Sequence, residues 1–114
     1  MRSIMLAILL LLCMPCAAQE QHGVASFYGK KFHGRTMANG KPFDMWAMTA
    51  AHRTLPLGTV VLVTSKISGK VVRVEITDRG PYIKGRVIDL SRAAAEALGF
   101  VNDGLTEVVI QHHK

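Results

Sequence analysis

The chain has 114 residues and a formal net charge of +6, with 14 Lys and Arg residues against eight Asp and Glu. This length fits one small domain and excludes a multidomain enzyme within this sequence. The basic residues are scattered and do not alternate with aromatic side chains, a distribution that argues against nucleic acid as a partner.

Residues 1–18 have the pattern of a secretory signal peptide. A positive charge at Arg2 precedes an apolar run that is too short to cross a membrane, and small residues lead up to Gln19. We therefore expect cleavage after Ala18, an exported domain over residues 19–114 without a membrane-spanning segment, and a location in the periplasm or cell envelope. The alternatives are a retained membrane anchor and a lipid on Cys13 or Cys16. The residues before these two cysteines do not favour the lipid, because lipidation needs small residues there.

The exported domain would have neither a thiol nor a disulfide, because both cysteines lie in the signal segment. It would carry 13 basic and eight acidic residues, a net charge of +5. A basic exported domain suits a polyanionic partner such as cell wall or an anionic lipid surface, although charge that serves only solubility is the alternative.

The first half of this domain predicts a short strand over residues 23–29 and a long loop over residues 30–42 with a turn at Asn39-Gly40. Trp46 is either a core anchor, which we favour, or an aromatic platform for a sugar. Residues 49–53 are compatible with one helical turn. Long loops in small domains often carry function, so the loop is a candidate part of a site.

The clearest prediction is a β-hairpin with strands over residues 60–64 and 71–78. In the second strand Val72, Val74 and Ile76 share one face and Asp78 comes next on it. The density of β-branched residues suggests burial on both faces near the middle. Asp78 would then be either a partly desolvated acid at the lip of a groove or a turn residue that pairs with Arg79.

The remaining elements are a short strand over residues 86–89, a helix over residues 92–98 and a last strand over residues 105–111. Ser91 is a typical N-cap and Gly99 a typical stop. We interpret Asp89 as a structural residue that binds loop amides near the helix start. Short strands, long loops and one helix indicate a compact, mainly β barrel.

Candidate chemistry is limited by the residues available. Without a cysteine in the exported part there is no thiol nucleophile, and the histidines lack the close pairing of a metal site, so we expect no metal and no cofactor. His52 is either a buried, hydrogen-bonded structural histidine or a site residue.

Eight short motifs occur in order along the chain: Ala25-Ser26-Phe27-Tyr28-Gly29, Phe32-His33-Gly34-Arg35, Ala38-Asn39-Gly40, Phe43-Asp44-Met45, Thr49-Ala50-Ala51-His52, Leu55-Pro56-Leu57-Gly58-Thr59, Asp78-Arg79-Gly80-Pro81 and Gly85-Arg86-Val87-Ile88-Asp89-Leu90-Ser91. Together they closely resemble the rare lipoprotein A family of bacterial septal-ring proteins. The resemblance implies a six-stranded double-psi β-barrel with one short helix, a fold shared with expansins.

The same resemblance implies an endolytic lytic transglycosylase that cleaves peptidoglycan glycan strands, preferring strands without stem peptides, and leaves 1,6-anhydromuramic ends. Asp78 and His52 match the family's catalytic positions, while Tyr28, Asn39, Arg79 and Lys41 are candidates for binding the glycan. Lys41 stands where the family usually has a glutamate. Many members also carry a C-terminal peptidoglycan-binding repeat domain that this sequence does not contain. The alternative function is an expansin-like module that binds glycan without cutting it, and cell-division proteins are possible partners.

Overall fold

The computed structural model describes residues 19–112. Its elements are six strands and one α-helix, in the order β1 Gln19–Phe27, β2 Thr49–Ala51, β3 Val60–Ser65, β4 Val71–Asp78, β5 Arg86–Leu90, α1 Arg92–Leu98 and β6 Thr106–His112. A single turn of 3₁₀-helix covers Lys30–Phe32. The predicted signal peptide, residues 1–18, lies outside the described residues.

The six strands form a closed barrel in the order β1-β5-β2-β4-β3-β6, and β6 pairs with β1 to close it. Two pairs are parallel, β1 with β5 and β2 with β4, whereas the other four are antiparallel. Closure leaves no long unpaired edge, which is one way a small β domain avoids edge-to-edge association. The predicted six-stranded double-psi β-barrel with one short helix is confirmed.

The β3–β4 hairpin packs one face into the barrel. Val72, Val74 and Ile76 are buried, in agreement with the predicted alternation. The outer face is open, and Val60 and Leu62 are 42% and 44% exposed. The expectation of burial on both faces is therefore wrong, because the barrel fills its interior from one side of each strand and nothing described covers this outer wall.

Helix α1 has the predicted boundaries. The Ser91 hydroxyl accepts a hydrogen bond from the Ala94 N–H, and Gly99 ends the helix with φ = 83°, a left-handed conformation that favours glycine. Ala94 and Leu98 are buried against the barrel. In the part of the chain that the structure describes, no helix is long and apolar enough to cross a membrane.

Two local predictions are corrected by the fold. Residues 49–51 form strand β2 rather than a helical turn, because Ala50 and Ala51 pair with β4 on one side and β5 on the other. Trp46 is 59% exposed and is not a core anchor. In both places tertiary context overrides a local preference that was weak.

Candidate active site

An open cavity of about 480 Å³ lies at the end of the barrel where β4 finishes. Its walls come from the end of β1, the loop that follows it, the turn after β4 and strand β5. The polar and charged side chains that line it include Ser26, Tyr28, Arg35, Asp78, Arg86 and Asp89. A barrel end has this composition because the apolar interior stops there and the next side chains meet solvent.

Asp78 is the last residue of β4 and is held by three hydrogen bonds. Its Oδ1 accepts from the Ala38 N–H at 2.9 Å and from the Arg79 N–H at 2.8 Å, and its Oδ2 accepts from the Tyr28 hydroxyl at 2.9 Å. Donors aimed at a carboxylate fix its orientation. The structure therefore places an oriented carboxylate at the cavity wall.

Tyr28 extends from the end of β1 into the cavity. Its ring packs edge-on against Phe43, with ring centroids 4.7 Å apart, and leans on Phe32 at 5.5 Å. Burial, together with the hydrogen bond to the Asp78 carboxylate, raises the pKa of the Tyr28 hydroxyl above its ordinary value. Tyr28 is therefore a neutral donor to Asp78 at physiological pH.

Asp89 is a second carboxyl group in the cavity, and sequence reasoning missed it. It accepts a hydrogen bond from the Ser26 hydroxyl of the paired strand β1. Burial raises the pKa of Asp89, an effect that Ser26 and Arg86 oppose and Asp78 reinforces. The expected structural contact with amides near the helix start is replaced by this strand-to-strand contact. The available signal was an acid inside the otherwise apolar strand segment 87–90.

His52 is buried and its side chain does not line the cavity. Its Nδ1 accepts from the N–H groups of Thr54 at 3.2 Å and Leu55 at 3.1 Å, and its Nε2 lies 2.7 Å from the Gln21 Oε1. An Nδ1 that accepts leaves the proton on Nε2, so the ring is neutral. Burial lowers the pKa of His52, in line with that state. These contacts support the structural interpretation of His52.

Arg79 borders the cavity, but its guanidinium is already engaged. Its Nη1 donates to the carbonyls of His52 at 2.9 Å and Leu55 at 2.6 Å. The backbone N–H of His52 in turn donates to the Asp78 carbonyl at 3.1 Å. Arg79 therefore ties the turn after β2 to the end of β4.

Lys41 and Asn39 lie on the long loop and are not among the residues that line the cavity. The Asn39 side chain accepts from the Lys41 N–H at 2.9 Å, which closes a local turn, and the Asn39 N–H donates to the Thr77 carbonyl at 3.2 Å. Lys41 is exposed. Of the six predicted site residues, the cavity thus brings together Asp78, Tyr28 and Arg79.

Fold and site together define a double-psi β-barrel domain with two carboxyl groups in an open cleft. A family model described as "Lytic transglycolase" matches residues 20–110. The match covers most of the chain, and the chain belongs to this family.

The chain is similar to curated relatives named endolytic peptidoglycan transglycosylase RlpA. It is 52% identical over 94 residues to the protein of Pseudomonas aeruginosa, covering 82% of this chain and 28% of the relative. It is 52% identical over 91 residues to that of Neisseria meningitidis, covering 80% and 38%. A relative in Treponema pallidum, named a probable enzyme of this kind, is 56% identical over 88 residues, covering 77% and 28%. The chain thus spans less than two fifths of each of these relatives.

Solved structures give the same fold. The Streptomyces papain inhibitor is 26% identical with a TM-score of 0.64, covering 87% of this chain and 96% of that one. The expansin of Clavibacter michiganensis is 28% identical with a TM-score of 0.63, covering 81% and 49%. A variant of that expansin, similar at a TM-score of 0.61 and 27% identity with coverage of 81% and 49%, is in complex with cellohexaose.

Proposed function

We propose that this domain is the catalytic part of an endolytic peptidoglycan lytic transglycosylase, acting on glycan strands that lack stem peptides. Membership of the lytic transglycosylase family and about 50% identity to named peptidoglycan transglycosylases support the proposal. The observation that carries it is Asp78, an oriented carboxylate at the wall of an open cleft. An open cleft suits an endolytic enzyme, because a strand has to lie across it.

The chemistry requires little beyond proton transfer. The 6-hydroxyl of muramic acid attacks its own anomeric carbon, the bond to the next sugar breaks, and a 1,6-anhydro end forms without any water molecule being activated. The leaving oxygen gains a proton and the 6-hydroxyl loses one. A carboxyl group at Asp78 serves this exchange, and Tyr28 orients it through the 2.9 Å hydrogen bond.

The other predicted residues take supporting roles in this proposal. His52 holds the turn whose carbonyls accept hydrogen bonds from Arg79. Asn39 closes a turn in the long loop through its bond from the Lys41 N–H. Lys41 is exposed on that loop, so its ammonium group is available to a lactyl carboxylate of a stripped strand. Arg35 and Arg86, which line the cavity, are further cations for the same carboxylate.

Digestion of stripped glycan strands tests the proposal. Wild-type protein should yield fragments with 1,6-anhydro ends by mass spectrometry, and Asp78→Asn should abolish them. Asp103→Asn, on an exposed loop, is a matched control that should leave the yield unchanged. Wild-type protein that pellets with peptidoglycan yet forms no anhydro ends would refute the enzymatic proposal.

That same outcome would favour the second candidate, an expansin-like module that grips glycan without cutting. The likeness to an expansin structure supports it, at 28% identity against about 50% for the named transglycosylases. A position in the cell envelope, reached through the predicted signal peptide, suits either function. The resemblance to septal-ring proteins makes cell-division proteins the partner class to test by co-precipitation.

A further inference from the structure

We propose that Asp89 is a second catalytic residue, which protonates the leaving glycosidic oxygen while the Asp78 carboxylate accepts the proton of the muramic acid 6-hydroxyl. The inference rests on the proposed function and divides its proton transfers between two groups. Both side chains line the one cavity, and each is held by a different strand.

The register of the barrel places the two acids on either side of one small residue. Ala51 of β2 is the Cα partner of Asp78 in β4 and also of Asp89 in β5. The β2–β4 pairing is irregular between Ala50 and Ala51, where β4 has one extra residue, so the cavity that both acids line, rather than the register, shows that their side chains face the same space. Two strand spacings separate the two Cα atoms by about 10 Å. Two carboxyl groups so placed can contact opposite sides of one glycosidic bond.

The hydrogen bonds of the two acids are unequal. Asp78 accepts from Tyr28, Ala38 and Arg79, so three donors orient its oxygens as acceptors. Asp89, among the described residues, accepts from the Ser26 hydroxyl alone. A hydroxyl can also accept, so Ser26 can stay bonded to Asp89 when the carboxyl group is protonated.

Two charged groups and one neutral hydroxyl face Asp89. Arg86 lies on its own strand β5, Asp78 on β4, and the neutral Tyr28 hydroxyl directly after β1. Burial is the largest influence and raises the pKa of Asp89, and the negative charge of Asp78 raises it further against the opposing influence of Arg86. Burial therefore favours the protonated carboxyl group at Asp89, which is the form that a proton donor requires.

The step balances without a further reactant. The Asp89 proton passes to the glycosidic oxygen, the bond from C1 to that oxygen breaks, and its electron pair stays on the leaving sugar. The O6 atom of muramic acid forms the new bond to C1, and its proton passes to Asp78. The enzyme is left with Asp89 ionised and Asp78 protonated, and exchange with solvent restores both groups.

Two substrates separate the roles. On stripped glycan strands, Asp89→Asn and Asp78→Asn should each lower the rate by about 100-fold or more. The second substrate is a dinitrophenyl glycoside of a stripped oligosaccharide that ends in muramic acid, whose phenolate leaves without a proton. There Asp89→Asn should keep a rate within about 10-fold of wild type, whereas Asp78→Asn should remain impaired. Circular dichroism and pelleting on peptidoglycan establish that both variants fold and bind.

Ser26→Ala is an independent test of Asp89 as the proton donor, because the Ser26 hydroxyl lowers the pKa of Asp89. Its removal should move the alkaline limb of the pH–rate profile to higher pH, while Asp103→Asn should leave that limb in place. The inference would be overturned if Asp89→Asn lowered the rate equally on both substrates, or if Ser26→Ala left the alkaline limb of the pH–rate profile in place. Either result would leave the proposed function standing. Wild-type protein that forms no anhydro ends would overturn the proposed function itself.

Discussion

Replacing His52 distinguishes a chemical from a structural role, because its two ring nitrogens have different partners. Nδ1 accepts from Thr54 and Leu55, and Nε2 donates to Gln21. Asparagine places an oxygen near the position of Nδ1 and loses the Nε2 donor. Glutamine reaches the Nε2 position and loses the Nδ1 acceptor. The two substitutions therefore remove different halves of one hydrogen-bond set.

The magnitudes follow from the bonds lost. His52→Asn removes one hydrogen bond, to Gln21, and should lower the free energy of unfolding by about 1–2 kcal/mol, including the smaller volume. His52→Gln leaves the Thr54 and Leu55 N–H groups without their acceptor and should cost about 2–3 kcal/mol. It should also loosen the turn whose carbonyls hold Arg79.

The pH dependence has a definite sign. The folded state lowers the pKa of His52 chiefly by burial, so below the ordinary value near 6.5 the unfolded chain takes up a proton that the folded chain resists. The contribution of His52 is thus complete above about pH 6.5 and declines as pH falls, at up to about 1.4 kcal/mol per pH unit. Subtracting the stability of His52→Asn at each pH isolates this dependence from that of the acidic side chains.

Urea unfolding from pH 5 to 8, together with the assay for anhydro ends, measures both effects. We expect His52→Asn to keep most of the activity and to lack the decline at low pH. A His52→Asn protein that is as stable as wild type but inactive on glycan strands would refute the structural assignment and restore a chemical role to the histidine.

Three further substitutions test the cavity and the barrel. Tyr28→Phe removes a donor to Asp78 and should lower the rate by about 10-fold with little change in glycan pelleting, which a kcat and KM comparison measures. Gly23→Ala should lower the free energy of unfolding by about 1–3 kcal/mol, since a Cβ atom there would lie 2.5 Å from the Val87 Cγ1; unchanged urea unfolding would contradict this. In Arg79→Lys the ammonium group cannot reproduce the planar geometry of the two bonds to carbonyls, so the melting temperature and the rate should fall together. A rise in KM alone would instead indicate that Arg79 binds glycan directly.

The fold was predictable because its elements carry strong local signals. Alternation in residues 71–78 places Val72, Val74 and Ile76 inside, and Ser91 and Gly99 delimit the helix, as the structure has them. Closure of the barrel could not be predicted from these local signals, because the pairing of β1 with β6 joins residues far apart in sequence. The closed barrel was predicted only through the family resemblance that the eight ordered motifs carry.

The site was predictable only in part, for the same physical reason. Asp78 ends an apolar row and follows from alternation. Asp89 belongs to the cavity because β5 pairs with both β1 and β2, a relation that no local pattern encodes. The motif that contains His52 marks a residue important to the turn, and only the contacts of its ring nitrogens separate support of the site from action in it.

The contacts of Asp78 also decide which substitution tests its chemistry cleanly. An asparagine there keeps an oxygen for the N–H groups of Ala38 and Arg79, and the Tyr28 hydroxyl can rotate to accept from the new amide. Alanine removes all three contacts, so the long loop loses its Ala38 N–H bond to Asp78 and keeps the Asn39 N–H bond to the Thr77 carbonyl. Both variants should be inactive, but Asp78→Asn should unfold within about 0.5 kcal/mol of wild type and still pellet with glycan, whereas Asp78→Ala should lose about 1–3 kcal/mol and bind more weakly. Equal stability and equal binding of the two variants would show that the carboxylate does not anchor the loop, and that its hydrogen bonds serve the reaction alone.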